Sequence, residues 1–160
     1  MPQTNIHAGQ AKLLGELDAA DISYVVVPHR PTFTAADEAQ ALGVPASAVA
    51  KTVVLTTPEG FVRAVLPASE RLDLRKVREL LASPEVELAT EQELAGAYPD
   101  FDLGAVPPLG GGNDTVLLDR RLAANESVLV EAGVHDASLR LKRDELAAHT
   151  QAKIADLCSD

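Results

Sequence analysis

The sequence predicts an α/β (α+β) fold in one domain spanning residues 1–160, with a mixed, mostly antiparallel sheet or a barrel-like sheet surrounded by helices. Two observations support this fold class. Apolar, β-branched segments alternate with amphipathic helical segments along the chain. Several strand segments are also separated by only a few residues, which suits antiparallel neighbours because parallel neighbours need long crossovers. No repeat and no linker divides this order, so a single domain is expected.

The helices are predicted from apolar periodicity and from capping residues. Residues 9–19 place three leucines on one helical face. Thr34 precedes the second helix, with Asp37 three residues later, as in a capping box, and Gly43 at the end of the helix. The remaining helices are predicted to begin at Asp73, Thr90 and Asp144.

The strands are predicted from aliphatic and β-branched runs bounded by turn residues. Residues 47–57 and 61–68 form a predicted hairpin, joined by a turn in which Pro58 and Gly60 suit type I geometry. The other predicted strands are 22–27, 115–119, 127–133 and 137–142, with a short one before Thr90. No glycine-rich motif follows the first strand, so the pattern favours neither a dinucleotide-binding nor a P-loop fold.

The charge of the chain restricts its partners. Fourteen Lys and Arg against 24 Asp and Glu give a net charge of −10. An acidic surface repels phosphate backbones, so broad nucleic-acid binding and DNA binding are not expected, whereas binding of an RNA end remains compatible. No apolar run reaches membrane-spanning length, and the first residues lack the pattern of a secretory signal. The expectation is a cytoplasmic protein without a membrane partner.

The histidines and the cysteine indicate neither a metal nor a cofactor. The four histidines form no close-spaced ligand pair. The lone Cys158 forms no disulfide framework, and we expect it to be a structural thiol on a terminal helix.

Lys51 stands within an otherwise apolar strand. In an extended segment Lys51, Val53 and Leu55 point to one face, and Thr52 and Val54 to the other. Two interpretations follow. Either the lysine stem lies along apolar surface with its ammonium in water, or the strand directs a cation into a pocket.

The segment 104–112 contains two prolines and four glycines in nine residues. Such a loop has a fixed shape, and its backbone can approach a ligand closely. Its amides are candidate donors to a carbonyl oxygen or to a developing oxyanion, although an ordinary surface turn explains the composition equally well.

Taken in order, these segments resemble one known family. The stretches YVVVPH, VAKTVVL, AVLPASERLDLRKV, GAVPPLG and VLVEAG, with their spacings, are similar to the YbaK/EbsC family of aminoacyl-tRNA deacylases, which is related to the editing (insertion) domain of bacterial prolyl-tRNA synthetase. The resemblance covers residues 12–148. Its GxxPxG loop is matched by Gly104, Pro107 and the nearby Gly110, while Pro108 occupies a variable position.

The resemblance implies a trans-editing hydrolase without metal or cofactor. Its substrate would be the ester of a wrong amino acid on the 3′-terminal adenosine of a tRNA, with proline tRNA as the expected carrier and an aminoacyl-tRNA synthetase as a further partner. Lys51 and Gly104 are the implied catalytic residues, and Pro107 and Gly110 are implied to hold the aminoacyl carbonyl.

Four more residues are candidates for substrate binding, each with a structural alternative. His29 follows a strand, where a histidine is commonly a satisfied structural group, and Tyr24 either lines the pocket or packs. Ala68 and Gly133 either leave room for the amino-acid side chain or serve packing. Contacts to tRNA phosphates are predicted for Arg71, Arg75, Arg78, Arg140 and Lys142. The alternative for each is a solvated face, in which Glu70, Asp73 and Glu79 balance the first three.

Two other functions remain open from the sequence. The first is a non-catalytic module of the same fold that binds an aminoacylated end or a synthetase. The second is a hydrolase of another small ester. The presence of Lys51 together with Gly104 and Pro107 favours the deacylase.

Overall fold

The computed structural model describes residues 8–112 and 114–160, and it is a mixed α/β structure. The helices are α1 (Ala8–Ala19), α2 (Ala35–Leu42), α3 (Leu74–Leu81), α4 (Glu91–Ala97) and α5 (Arg143–Thr150). The strands are β1 (Tyr24–Pro28), β2 (Ala50–Thr57), β3 (Gly60–Pro67), β4 (Glu87–Leu88), β5 (Thr115–Asp119), β6 (Ser127–Glu131), β7 (Ala137–Lys142) and β8 (Lys153–Ala155). None of these helices has both the length and the apolarity that crossing a membrane requires.

The strands form two open sheets. The larger has the order β4-β2-β3-β5-β8, antiparallel from β4 to β3 and parallel from β3 to β8. The smaller has the antiparallel order β1-β7-β6. A single parallel bridge between Val49 and Leu129 joins them. The mixed sheet is therefore confirmed, whereas the barrel-like alternative is wrong because β6 meets β2 at one bridge and β8 forms the opposite edge.

The predicted helix starts at Thr34, Asp73 and Thr90 are confirmed by their caps, whereas α5 begins at Arg143 without a side-chain cap. Thr34 Oγ1 accepts a hydrogen bond from Asp37 N at 3.1 Å, and Gly43 ends α2 in the left-handed conformation. The complete capping box lies at Thr90 and Glu93, where each side chain bonds the other residue's backbone amide. The Asp37 carboxylate instead pairs with Arg30, 2.9 Å from its Nη2.

Three apolar clusters hold these elements together. The largest fills the space between the two sheets and takes Leu13 and Leu17 from α1, as the predicted leucine face requires. The second packs α3 against the other face of the larger sheet through Val77. The third places α2 on the outer face of the smaller sheet, where Ala39 packs with Leu129. The helix α2 thus covers the outer face of the smaller sheet, and it also carries polar residues.

The C-terminal segment differs from the prediction. The expected terminal helix around Cys158 is wrong, because the chain leaves α5, adds β8 in parallel to β5, and then buries Leu157 and Cys158. Asp119 accepts a hydrogen bond from Leu157 N at 2.8 Å, and Leu157 O accepts one from Asp73 N at 2.8 Å. This anchoring uses partners far away in sequence, and the short segment itself carries no strong strand pattern.

Candidate active site

The strand β2 holds Lys51 on a half-buried face. Lys51 lies opposite Leu66 of β3 in the antiparallel register. Val53 and Leu55 pack in the cluster beneath α3, whereas Val54 packs in the cluster between the sheets. The predicted alternation of β2 is therefore confirmed.

Lys51 also lies at the seam between the two sheets. A parallel bridge pairs Val49 with Leu129. Because alternate residues of an extended strand share a face, Lys51 lies on the same face as Val49, and Glu131 lies on the same face as Leu129. Among the residues that the structure describes, Lys51 forms no ion pair. Its charge is accordingly available to a ligand.

A narrow cavity opens beside this seam, at the end of the smaller sheet. It encloses about 210 Å³ of empty space, part of it open to solvent. The side chains and backbone that line it include His29, Phe33, Glu38, Gly104, Glu131 and His135. The structure thus brings His29 and Gly104 to the lining of one cavity.

A chain of hydrogen bonds fixes His29 at the wall of the cavity. Its Nδ1 donates to the carbonyl oxygen of Arg30 at 2.6 Å, and its Nε2 lies 2.9 Å from Ser138 Oγ. Ser138 in turn contacts the Glu38 carboxyl group. Burial raises the pKa of Glu38, although Ser138 and His29 oppose the shift. Because both ring nitrogens of His29 are occupied, the geometry favours a structural role for this histidine.

His135 is the second imidazole of the cavity. Its ring lies 4.7 Å from the ring of Phe33, whose side chain is strongly exposed. A β-carbon added to Gly104 would lie 3.5 Å from His135 Cε1. The sequence analysis did not predict His135 as a site residue. The one signal for it was its position two residues after Gly133, which ends a predicted strand.

Glu131 is, with Glu38, one of two buried acids that line the cavity. It ends β6 directly opposite Ser138, and it is only 9% exposed. Burial, and then the charge of Glu38, raise the pKa of Glu131 well above the ordinary value. The sequence did not predict Glu131 as a site residue, because its surroundings depend on α2 and β7 as well as on its own strand.

Backbone contacts tie the glycine- and proline-rich loop to the end of β6. Gly133 N donates to Ala105 O at 2.9 Å, and Asp102 N donates to Gly133 O at 2.9 Å. Gly133 has a φ of +84°, and a β-carbon there would lie 2.6 Å from Phe101 Cδ1. The packing alternative for Gly133 is thereby favoured. Gly104 also has a φ of +84°, and it is exposed at the cavity.

Arg63 anchors the second half of the loop. Its guanidinium is 1% exposed and donates to Pro107 O at 2.9 Å, to Gly110 O, and to Asp114 at 2.8 Å. Tyr98 donates its hydroxyl hydrogen to Asp114 and lies under the Arg63 guanidinium. Burial and this hydrogen bond raise the pKa of Tyr98 to about 12. Burial opposes ionisation of Asp114, but the hydrogen bonds from Arg63 and Tyr98 lower its pKa.

The loop faces two different cavities. Gly104 lines the narrow cavity, whereas Gly110 lines a second, larger cleft of about 880 Å³ together with Arg63 and Asp114. Lys51 is not among the residues that line either of them. The expectation that Lys51 and the whole loop face one pocket stays a prediction.

The other predicted residues lie away from the narrow cavity. Tyr24 is at the opposite end of β1, where it lines a shallow hollow with Arg140 and Lys142. These two cations are exposed and alternate with the buried Leu139 and Leu141, as predicted. The half-buried Ala68 packs against the cluster between α2 and β6.

The donor set of the site does not resemble a metal centre. Within residues 8–112 and 114–160, no three His, Cys, Asp or Glu side chains are grouped as ligands for an ion.

Comparisons with known proteins point to one family. A family model for the aminoacyl-tRNA editing domain matches residues 29–148, a range that contains the whole narrow cavity. A proline–tRNA ligase of Streptomyces coelicolor is 31% identical over 125 residues, which are 77% of this chain and 22% of the ligase. The chain therefore spans about a fifth of the length of this curated relative.

Solved structures have the same fold over nearly the whole chain. A crystal structure of a candidate trans-editing enzyme for prolyl-tRNA synthetase superposes with a TM-score of 0.84 at 29% identity, covering 96% of this chain and 98% of that one. A hypothetical protein of known structure superposes with the same TM-score of 0.84 at 28% identity, covering 92% of this chain and 99% of that one.

Proposed function

Because the chain belongs to the aminoacyl-tRNA editing domain family, we propose that it is a deacylase that hydrolyses the ester of a wrong amino acid on the 3′-terminal adenosine of a tRNA. The observation that carries the proposal is the narrow cavity within the matched range. It combines an exposed glycine of the loop, an imidazole and a buried carboxyl group in one small space.

Gly104 supplies the oxyanion contact in this proposal. Hydrolysis of an ester passes through a tetrahedral intermediate, which donors placed around the developing oxyanion stabilise. The Gly104 amide has no hydrogen-bond acceptor among the described residues, and the positive φ exposes the backbone at the cavity. An amide held in this way needs no reorganisation when the negative charge forms.

His135 positions the attacking water, and Phe33 supports the terminal base. The His135 ring borders Gly104, and in the described part of the chain no hydrogen bond engages its nitrogens, so a neutral imidazole can accept a proton from water. Phe33 is 70% exposed at the rim, and an exposed aromatic ring is a platform on which a base stacks.

Lys51 provides a cation at the seam. The resemblance to YbaK-type deacylases implies that the lysine is catalytic, and the absence of an ion pair with any described residue supports a contact to the substrate when the tRNA end is bound. A preformed electrostatic contact of this kind stabilises the transition state more than the ground state.

The relatives favour a particular carrier of the amino acid. Because the cavity is narrow, we take a small amino acid, alanine, as the test substrate. The relatives include a proline–tRNA ligase and a candidate trans-editing enzyme for prolyl-tRNA synthetase, which support proline tRNA as the carrier and that synthetase as a partner.

A non-catalytic module that binds the aminoacylated end is the second candidate. Two observations favour it, namely that Lys51 lines neither cavity and that both ring nitrogens of His29 are occupied. The two functions differ in a measurable way, because a module of this kind binds the charged tRNA without releasing its amino acid.

Alanine release and tRNA binding, measured on the same protein preparations, distinguish the two. We expect the wild-type protein to release alanine from alanine-charged proline tRNA, and His135→Ala to bind the tRNA with at least about 10²-fold slower release. His149→Ala is the matched control, because this exposed histidine lies outside the narrow cavity. Binding without release by the wild-type protein would favour the binding module.

A further inference from the structure

Resting on the proposed function, we propose that Glu131, together with the neighbouring Glu38, forms the subsite that binds the α-ammonium group of the aminoacyl ester. The substrate class would then be aminoacyl-tRNA with a free amino group, as opposed to N-acylated aminoacyl-tRNA.

The first argument is that Glu131 is buried, faces the cavity and lacks a partner. Its residue is 9% exposed, and its side chain lines the cavity beside Gly104. Among the described residues no side chain donates a hydrogen bond to its carboxyl group, whereas the neighbouring Glu38 is already engaged by Ser138. Buried polar groups are normally satisfied, so a carboxyl group left free at a cavity indicates a ligand that completes it.

The second argument is charge balance. After burial, the charge of Glu38 is the second cause that raises the pKa of Glu131, so the two carboxyl groups lie close together at the cavity. No Lys or Arg within the two described ranges forms an ion pair with either acid. An ammonium group of the substrate would supply the cation that these residues do not, and it would favour the ionised form of Glu131.

The third argument is the arrangement of the cavity. Glu131 stands at the end of β6, and Gly104 stands in the loop that is tied to the same strand end through Ala105 and Gly133. In an α-amino ester only one carbon separates the ammonium nitrogen from the carbonyl carbon. An amino acid anchored at Glu131 therefore presents its carbonyl group within the same small cavity as the Gly104 amide.

A substrate comparison tests the subsite directly. The kcat/KM for alanine-charged proline tRNA is compared with that for the same tRNA carrying N-acetylalanine, at about pH 6, where α-amino groups are protonated. We expect the wild-type protein to prefer the free amino acid by about 30-fold or more, the effect of removing one partner of a buried charge pair.

The variants identify the residue responsible. Glu131→Gln keeps the shape and a hydrogen-bonding group but removes the charge, so we expect the preference to fall to about twofold or less, through loss of activity on the free amino acid. Glu126→Gln, an exposed acid just before β6, is the matched control and should keep the wild-type preference. Circular dichroism and thermal unfolding verify that each variant is folded.

Failure of this inference is separable from failure of the proposed function. If the wild-type protein hydrolyses both substrates equally, or if Glu131→Gln keeps the preference, the subsite is wrong while the deacylase stands. If neither substrate is hydrolysed, the deacylase is wrong, and binding of 3′-alanylamido-adenosine and its N-acetyl derivative decides the subsite. Tighter binding of the free amine by the wild-type protein alone supports it, and equal binding of both compounds overturns it.

Discussion

Replacing Arg63 with methionine should destabilise the protein strongly and loosen the loop that carries Gly104. Arg63 is 1% exposed and donates to two carbonyl oxygens of the loop, those of Pro107 and Gly110, and to the carboxylate of Asp114. Methionine keeps much of the apolar contact with Tyr98 but leaves all three acceptors without their donor.

The magnitude follows from these lost partners. Breaking a buried ion pair by removing one member typically costs about 3–5 kcal/mol, because the other charge remains buried and uncompensated. For a chain of this size each 1 kcal/mol corresponds to about 2–4 °C in Tm, so we expect Tm to fall by about 6–20 °C. Asp114 retains its contact with Tyr98, which keeps the loss within this range.

Urea unfolding and thermal unfolding measure the loss, with Arg71→Met as a control because Arg71 is exposed. The double variant Arg63→Met with Asp114→Asn should recover part of the stability, since it no longer buries an unpaired carboxylate. A loss below about 1 kcal/mol in Arg63→Met, or no recovery in the double variant, would refute the reasoning.

Three further predictions concern the site and its substrate. Lys51→Ala should slow deacylation about 10²–10³-fold without unfolding the protein, and full activity of the variant in a single-turnover assay would make the lysine structural. Burial and Glu38 hold the pKa of Glu131 above its ordinary value of 4.5, so the wild-type protein should lose stability as pH rises above that value. Glu131→Gln should therefore gain stability relative to the wild type between low and neutral pH in urea unfolding, and a constant difference would contradict the assignment. Binding of uncharged tRNA should be weak, with a slope of log affinity against log salt that corresponds to about one to three phosphates at −0.7 each, and a slope demanding six or more would reveal a basic groove.

Local signals allowed much of the fold to be predicted. Thr34 with Gly43, and Thr90 with Glu93, define helix ends through contacts within a few residues, and the sequence displays such contacts directly. The strand β8 and the burial of Cys158 were missed because they depend on a parallel pairing with β5, far away in the chain. The choice between an open and a closed sheet likewise depended on the long-range meeting of β2 with β6.

The candidate site could be predicted only in part for the same reason. The composition of the loop and the alternation of β2 identified Gly104 and the face of Lys51. Neither pattern shows which side chains from other parts of the chain line the cavity. Glu131 and His135 were therefore not predicted. Arg63 was missed because its partners lie in a loop more than forty residues away.

The rate at which purified protein releases the amino acid from mischarged proline tRNA tests the central claim most directly. Alanine-charged and proline-charged proline tRNA are incubated separately, with and without protein, and the remaining ester is counted over time. We expect release of alanine far above the spontaneous rate, while proline stays attached. Release of both amino acids at the spontaneous rate, by folded protein that binds the tRNA, would contradict it.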